Sequence, residues 1–210
     1  VLCGFCRVEL PATVRRDSVY CSKLCRQRAW RASRLRELHG TADRSFVLAY
    51  ADPPYPGRAR RYYASEEIDH GALIEELEAE ATDGWALSTS ADALRSVLPL
   101  CPEGARVGAW VKPIGVSSRA EGMANAWEPL IVVRGRQLPP GRRDWLRAQP
   151  ARYGGDLIGR KPLAFCAWLL DCLGWLPGDT LIDKFPGSGV VGGVASALSL
   201  HASRPGSRDG

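Results

Sequence analysis

The sequence predicts an α/β fold, a mostly parallel layered sheet carrying a small N-terminal cysteine-bounded unit. Three observations predict it. Short apolar runs alternate with amphipathic or apolar helical stretches from residue 45 onward. Several of those runs end in a proline- or glycine-rich turn, as strands leading into loops and helices do. Four of the seven cysteines crowd the first 25 residues, apart from the rest.

Taken in order, residues 1–40 form the first unit. Cysteines 3, 6, 21 and 25 have the spacing C-x2-C-x14-C-x3-C. Ser22 is placed to cap a helix running to about Leu38, and Gly40 ends it. From Phe46 to Ala51 a buried strand is expected, ending at Asp52. Pro53, Pro54, Pro56 and Gly57 enforce a loop. Ser65 reads as the cap of an amphipathic helix over 66–81. Trp85–Ser88 is a second strand, 91–98 a short helix, and Arg106–Val111 a third strand. Residues 113–127 form a loop and Leu130–Val133 a fourth strand. Residues 134–158, rich in Arg, Pro and Gly, read as one long connection. Pro162–Leu173 is an apolar helix, Thr180–Asp183 a fifth strand, and about Val190–Leu200 a last helix. Residues 203–210 read as a disordered tail. The expected units are therefore 1–40, 45–202 and the tail.

The bulk numbers narrow the function. The net charge of +5 comes from 28 Lys and Arg against 23 Asp and Glu. Residues 1–40 hold nine of those basic residues (Arg7, Arg15, Arg16, Lys23, Arg26, Arg28, Arg31, Arg34 and Arg36) against Glu9, Asp17 and Glu37. A basic segment beside a near-neutral body suits a polyanionic partner. No apolar run approaches the roughly 18–20 residues that span a bilayer, and the first residues lack the pattern of a secretory signal. The expectation is a cytoplasmic protein with no membrane partner, so disulfides are not expected. Cys101, Cys166 and Cys172 read as structural thiols.

Zinc needs four tetrahedral soft ligands, and two short-spaced cysteine pairs supply them from two chain segments. Cys3, Cys6, Cys21 and Cys25 are the expected ligands of a structural Zn2+. Four thiolates leave no open position for catalysis, but a metal stabilises a unit too small for its own core. The stretch Tyr20–Arg31 resembles the second half of zinc-ribbon or treble-clef-like fingers, whose last ligands open a basic helix. Arg28 and Arg31 fall on one face of that helix and are candidate phosphate contacts. Arg58, Arg60 and Arg61 interleave with Tyr62 and Tyr63, a pattern that suits phosphate contact and base stacking.

Two motifs carry the chemistry. Asp52-Pro53-Pro54-Tyr55 follows the first strand directly. Its prolines stiffen a platform on which a carboxylate and a proline carbonyl accept hydrogen bonds from an amine, while the ring stacks on a planar base. Asp183-Lys184-Phe185-Pro186-Gly187-Ser188-Gly189 follows the fifth strand and precedes a helix. Its glycines allow close backbone approach to a ligand. It is neither a dinucleotide fingerprint nor a phosphate loop. Both motifs end strands, where open α/β sheets bind ligands.

Together these residues resemble the DNA amino-methyltransferases that act on adenine N6 or cytosine N4. That family pairs an acidic-Pro-Pro-aromatic catalytic motif with an F-x-G-x-G cofactor motif. The catalytic motif comes first here, as in circularly permuted, phage-like members, and the resemblance covers about 45–200. It implies a Rossmann-like methyltransferase sheet, S-adenosylmethionine as cofactor and DNA as partner. It implies catalytic roles for Asp52, Pro53, Pro54 and Tyr55, and cofactor binding by Asp183, Phe185, Gly187, Ser188 and Gly189. Lys161 and Pro162 match a Lys-Pro pair that contributes to the cofactor site. Trp110-Val111-Lys112-Pro113 and Trp127-Glu128-Pro129 look like later strand-end motifs. The Asp-Pro-Pro-Tyr form favours adenine. Cytosine N4, an RNA base, protein methylation or an inactive DNA-binding methyltransferase fold are the alternatives. Two departures stand out. Lys184 replaces a common proline, which puts a charge near the cofactor. No strand follows 190–200 to carry the acidic residue that binds the cofactor ribose. The sheet is then trimmed, another residue takes that role, or the chain is incomplete.

Overall fold

Leu48, Tyr50, Ala49 and Ala51 are all buried, yet they enter two different apolar clusters. That split defines the architecture: strand alternation sends Leu48 and Tyr50 to one face and Ala49 and Ala51 to the other, and helices cover both. The computed structural model describes residues 44–57, 59, 66–113, 125–137, 141–150 and 160–202, with isolated positions between 3 and 29. Its elements are β1 (Val47–Ala51), α1 (His70–Glu80), β2 (Gly84–Ser88), α2 (Leu94–Val97) and a 3-10 turn (Leu98–Leu100). They continue with β3 (Arg106–Val111), β4 (Trp127–Arg134), β5 (Trp145–Arg147), α3 (Leu163–Leu173), β6 (Thr180–Asp183) and α4 (Val190–Ala202).

The six strands form one sheet in the order β5-β3-β4-β2-β1-β6. Five run the same way; β4 alone is reversed, pairing antiparallel with both β2 and β3. Helices α3 and α4 pack on the Leu48 face, with Phe165, Leu169, Leu173 and Val191 in its cluster. Leu73, Ile74 and Leu77 of α1 and Val97 of α2 cover the Ala49 face. The mostly parallel α/β expectation holds. Among the described residues β6 is an edge strand, so none supplies the further strand in which the ribose-binding residue was sought.

Several boundaries differ from expectation for physical reasons. Helix α1 begins at His70, not after Ser65. The Asp69 carboxylate accepts from the Gly71 and Ala72 N–H groups at 2.9 and 3.1 Å and caps it. Ile68 and Leu73, at the staple positions around that cap, enter the same cluster. The 91–98 helix shrinks to one turn because Pro99 converts its end to a 3-10 turn. Strand β4 starts at Trp127 and runs through Pro129, a residue that argues against a central strand. The 134–158 connection contains β5, too short to announce itself.

At the lower edge of the sheet the backbones cross closely. A Cβ on Gly84 would lie 2.2 Å from the Gly135 nitrogen, and Gly84 itself has φ +146°. Only glycine fits there.

Of the expected helix over 22–38, Lys23, Cys25, Arg26 and Ala29 are described and are helical; its other residues, the Arg28, Arg31, Arg58, Arg60 and Arg61 contacts, the Cys6 ligand and the tail lie outside the described residues. No helix among the described residues is long and apolar enough to cross a membrane.

Candidate active site

Strands β1 and β6 are hydrogen-bonded parallel neighbours, with Tyr50 opposite Asp183. The two motifs, more than a hundred residues apart in sequence, therefore leave the sheet side by side from the same edge. Asp52 stands two residues beyond Tyr50. Burial pushes the Asp183 carboxyl above the usual range; the Phe185 backbone pulls it back, and the negative charge of Asp52 adds to the rise. One buried Asp183 oxygen, Oδ1, has no hydrogen-bond partner. Buried carboxylate oxygens are rarely left so.

The glycine-rich turn beside it is exposed from Pro186 to Gly189. Gly187 and Gly189 take left-handed φ values of 48° and 68°. Phe185 anchors the turn by packing on the Ala49-face cluster. Lys184 points away from the site. Its Nζ bonds Glu76 Oε1 at 2.6 Å and Glu80 Oε2 at 3.0 Å, tying the turn to α1.

Lys161 organises the catalytic motif. It precedes α3, where Pro162 is the cap residue, and it is only 7% exposed. Its Nζ donates to Asp52 Oδ1 at 2.8 Å, and lies 3.3 Å from both Tyr55 Oη and Glu128 Oε2. Tyr55 Oη in turn donates to Glu128 Oε2 at 3.0 Å. Lys112 pairs with the other oxygen of Glu128. Two lysines and two carboxylates thus share one partly buried cluster without net charge. A cation at a helix N-terminus opposes the helix dipole, and the carboxylates offset that cost.

The titration directions follow from this packing. Burial disfavours the charged form of Lys161, but Asp52, Tyr50 and Glu128 outweigh it and hold the ammonium well above its usual range. Burial also pushes the Asp52 carboxyl up, and Lys161 only partly pulls it back. Glu128 is held below the usual carboxylate range, because Lys161 and Lys112 more than offset its desolvation. Burial, aided by Asp52, keeps the Tyr50 phenol protonated; it shares a 2.9 Å hydrogen bond with Ser88.

The structure thus brings Asp52, Pro53, Pro54, Tyr55, Lys161 and Pro162 together beside Asp183, Phe185, Gly187, Ser188 and Gly189. Lys161, expected with the cofactor residues, bonds the catalytic motif. Glu128 and Lys112 were not singled out from the sequence as site residues. Both arrive because β4 is reversed, so that its start meets the C-terminal end of β3: Trp127 pairs with Val111 and Glu128 with Trp110. The available signal was a charged residue beside a proline in each of two Trp-containing strand-end motifs.

At the N-terminus, the sulfurs of Cys3, Cys21 and Cys25 lie within 4.8 Å of one another. The Cys21 N–H donates to Cys3 Sγ at 3.3 Å, and the Cys21 and Cys25 sulfurs are 3.5 Å apart. Three converging soft donors fit a thiolate metal site.

No protein-family model matches the sequence, and no curated protein does. Among solved structures, the chain is similar to the crystal structure of an M1.HpyAVI–SAM complex. The TM-score is 0.54 at 15% identity, over 80% of this chain and 86% of that one. A second crystal structure of M1.HpyAVI gives a TM-score of 0.51 at 15% identity, over 80% and 85% of the two chains. At that identity the likeness shows the fold, a Rossmann-like methyltransferase-type sheet.

Proposed function

We propose that this chain transfers a methyl group from S-adenosylmethionine to an exocyclic amino group of a nucleic-acid base, with DNA as substrate and adenine N6 as acceptor. The observation that carries the reading is the meeting of Asp52-Pro53-Pro54-Tyr55 and the Asp183–Gly189 turn at one edge of the sheet. The similarity to a protein crystallised with SAM supports it. The unpartnered Asp183 Oδ1 and the open, left-handed glycines beside it fit a ligand bearing an amine or hydroxyls.

When bound, S-adenosylmethionine supplies an electrophilic methyl on a sulfonium sulfur. Asp183, Phe185, Gly187, Ser188 and Gly189 would hold it against the end of β6. Asp52 and the Pro53 carbonyl accept hydrogen bonds from the target amine and draw its lone pair out of the ring system. The Tyr55 ring, steadied through its hydroxyl by Glu128, stacks on the base. Lys161 holds Asp52 in place. Orientation and fixed charges supply most of such a rate enhancement. A base within a duplex must be extruded to reach the motif.

Transfer of tritiated methyl onto DNA, RNA and protein, followed by nucleoside identification, tests this. N6-methyladenine in DNA is the expected product. N4-methylcytosine or a methylated RNA base would change the acceptor, and label on protein alone would overturn the reading.

For the N-terminal unit the proposal is a structural zinc held by Cys3, Cys21 and Cys25, with Cys6 as fourth ligand. The basic residues Arg28 and Arg31, with Arg58, Arg60 and Arg61, would then contact phosphates. Metal analysis should find about one zinc per chain, as four thiolates require. A metal-free preparation with unchanged thiol reactivity would remove the metal.

A further inference from the structure

Strand β5 has an inner and an outer side that differ sharply. Leu146 and Ala148 pack on the core cluster of the Leu48 face. Arg143, Trp145 and Arg147, at alternate positions, are exposed. Trp145 is 44% exposed, unusual for the largest apolar side chain. The Arg143 guanidinium carbon lies 5.1 Å from its ring centroid, so the ring already accepts a cation on one side.

The location adds to this. Trp145 pairs with Ala109 and Arg147 with Val111, so the stripe climbs beside β3 toward the edge where Lys112 meets Glu128. The register partner of Trp145 on β3 is the small Ala109. Helices α1 and α2 cover the same side of the sheet over β1, β2 and β4, and the apolar cluster they form there includes no described residue of β3 or β5. The preceding Arg142 turns inward to Asp171 at 3.5 Å and belongs to the scaffold. Asp144, exposed between Arg143 and Trp145 at the bend before β5, gives its backbone carbonyl to the Ala109 N–H at 2.8 Å. The exposed side chains Arg143, Trp145 and Arg147 run cationic, aromatic, cationic, and within β5 Trp145 and Arg147 are roughly 7 Å apart, as every second strand residue is.

We propose that the Arg143–Trp145–Arg147 face of β5 is a binding track for a single-stranded stretch of nucleic acid, with an unpaired base stacked on Trp145 and phosphates on the two arginines. Charge complementarity selects this occupant: a stripe of two guanidiniums around an indole matches alternating phosphates and bases. It rests on the proposed function and deepens it. Extruding a base leaves unpaired nucleotides beside the catalytic edge, and β5 gives them a path.

The test measures binding without methyl transfer. Fluorescence anisotropy of a labelled single-stranded oligonucleotide, and of the matching duplex, is read with the full chain and its variants. Trp145→Ala should weaken single-strand binding roughly ten-fold, the scale of one base–aromatic stack. Trp145→Phe should recover most of it. Arg143→Ala with Arg147→Ala should lower the slope of log affinity against log salt by roughly 1.4, for two lost phosphate contacts on a single strand. S-adenosylmethionine titration should be unchanged in all three, which shows that they fold. If the unaltered chain methylates DNA while the variants bind the oligonucleotide as tightly as it does, the track is wrong and the proposed function stands. If the unaltered chain binds no nucleic acid, both fall. Trp145→Ala splitting a dimer, with oligonucleotide affinity intact, would assign the face to self-association instead.

Discussion

The sheet carries a buried ion cluster at each end, and the two are built to opposite specifications. At the lower end Arg136 grips Asp179 through two bonds of 2.6 and 3.0 Å, with side chains 2% and 3% exposed. The Phe46 and Leu176 N–H groups also donate to Asp179, at 2.9 and 2.7 Å, and Arg136 also donates to the Gly174 carbonyl. The guanidinium stacks on Phe46 at 3.9 Å. Each Asp179 oxygen has two donors, so nothing is left for a ligand. At the upper end Lys161 is shared among Asp52, Glu128 and Tyr55, Asp52 is 24% exposed, and Asp183 keeps an oxygen without a partner. A saturated pair ties β1, β4 and β6 together; an unsaturated one leaves hydrogen-bonding capacity where the strands open to solvent.

The largest effects should separate the two ends cleanly. Arg136→Ala leaves the Asp179 carboxylate buried and uncompensated, which costs about 3–5 kcal/mol. Urea unfolding should show that loss. A change below about 1 kcal/mol would mean that the lower pair is no more than a surface contact. Asp52→Ala should do the reverse: methyl transfer falls by at least about a hundred-fold, with S-adenosylmethionine affinity kept and stability hurt less than in Arg136→Ala. Single-turnover transfer alongside calorimetric titration checks this. An unchanged rate would take Asp52 out of the chemistry.

How much of this was legible depends on whether a residue's role is local. Strands Arg106–Val111 and Thr180–Asp183 have the bounds that their apolar runs suggested, and both main motifs sit at strand ends as their turn residues required. The pairing of β1 with β6 was not legible, because apolar runs carry no partner information. Glu128 was hidden for a related reason. Its place depends on the reversed direction of β4, and Pro129 obscured the first residues of that strand. Lys161 was read through the resemblance of Lys161-Pro162 to a Lys-Pro pair at the cofactor site, yet its bonds go to Asp52, 109 positions earlier. The α1 start was missed because Ser65 and Asp69 are both good caps; the apolar positions Leu73, Ile74 and Leu77 lie one turn beyond the second.

A third prediction sharpens the contrast through pH. Asp52 must be a carboxylate to accept the amine, so activity falls as pH drops through its pKa. Burial raises that pKa and Lys161 opposes the rise. Lys161→Met removes the opposition, so the acid limb of kcat/KM should move to higher pH. No movement would mean that the ammonium does not act on Asp52.

Glu128→Gln should move the same limb the other way, and by less. Glu128 is a like charge that raises the Asp52 pKa, and it competes with Asp52 for the Lys161 ammonium. The amide removes the charge but keeps an oxygen that can still accept from Tyr55 and Lys161. Asp52 then faces a cation with fewer anionic partners, its pKa falls, and activity persists to lower pH. The lower pair offers no counterpart, since it lies at the far end of the sheet from Asp52. Arg136→Ala, assayed where it is folded, should leave the acid limb unmoved. Opposite shifts in Lys161→Met and Glu128→Gln identify electrostatic control of Asp52 by the upper cluster. Shifts in the same direction would show instead that both variants merely loosen the site.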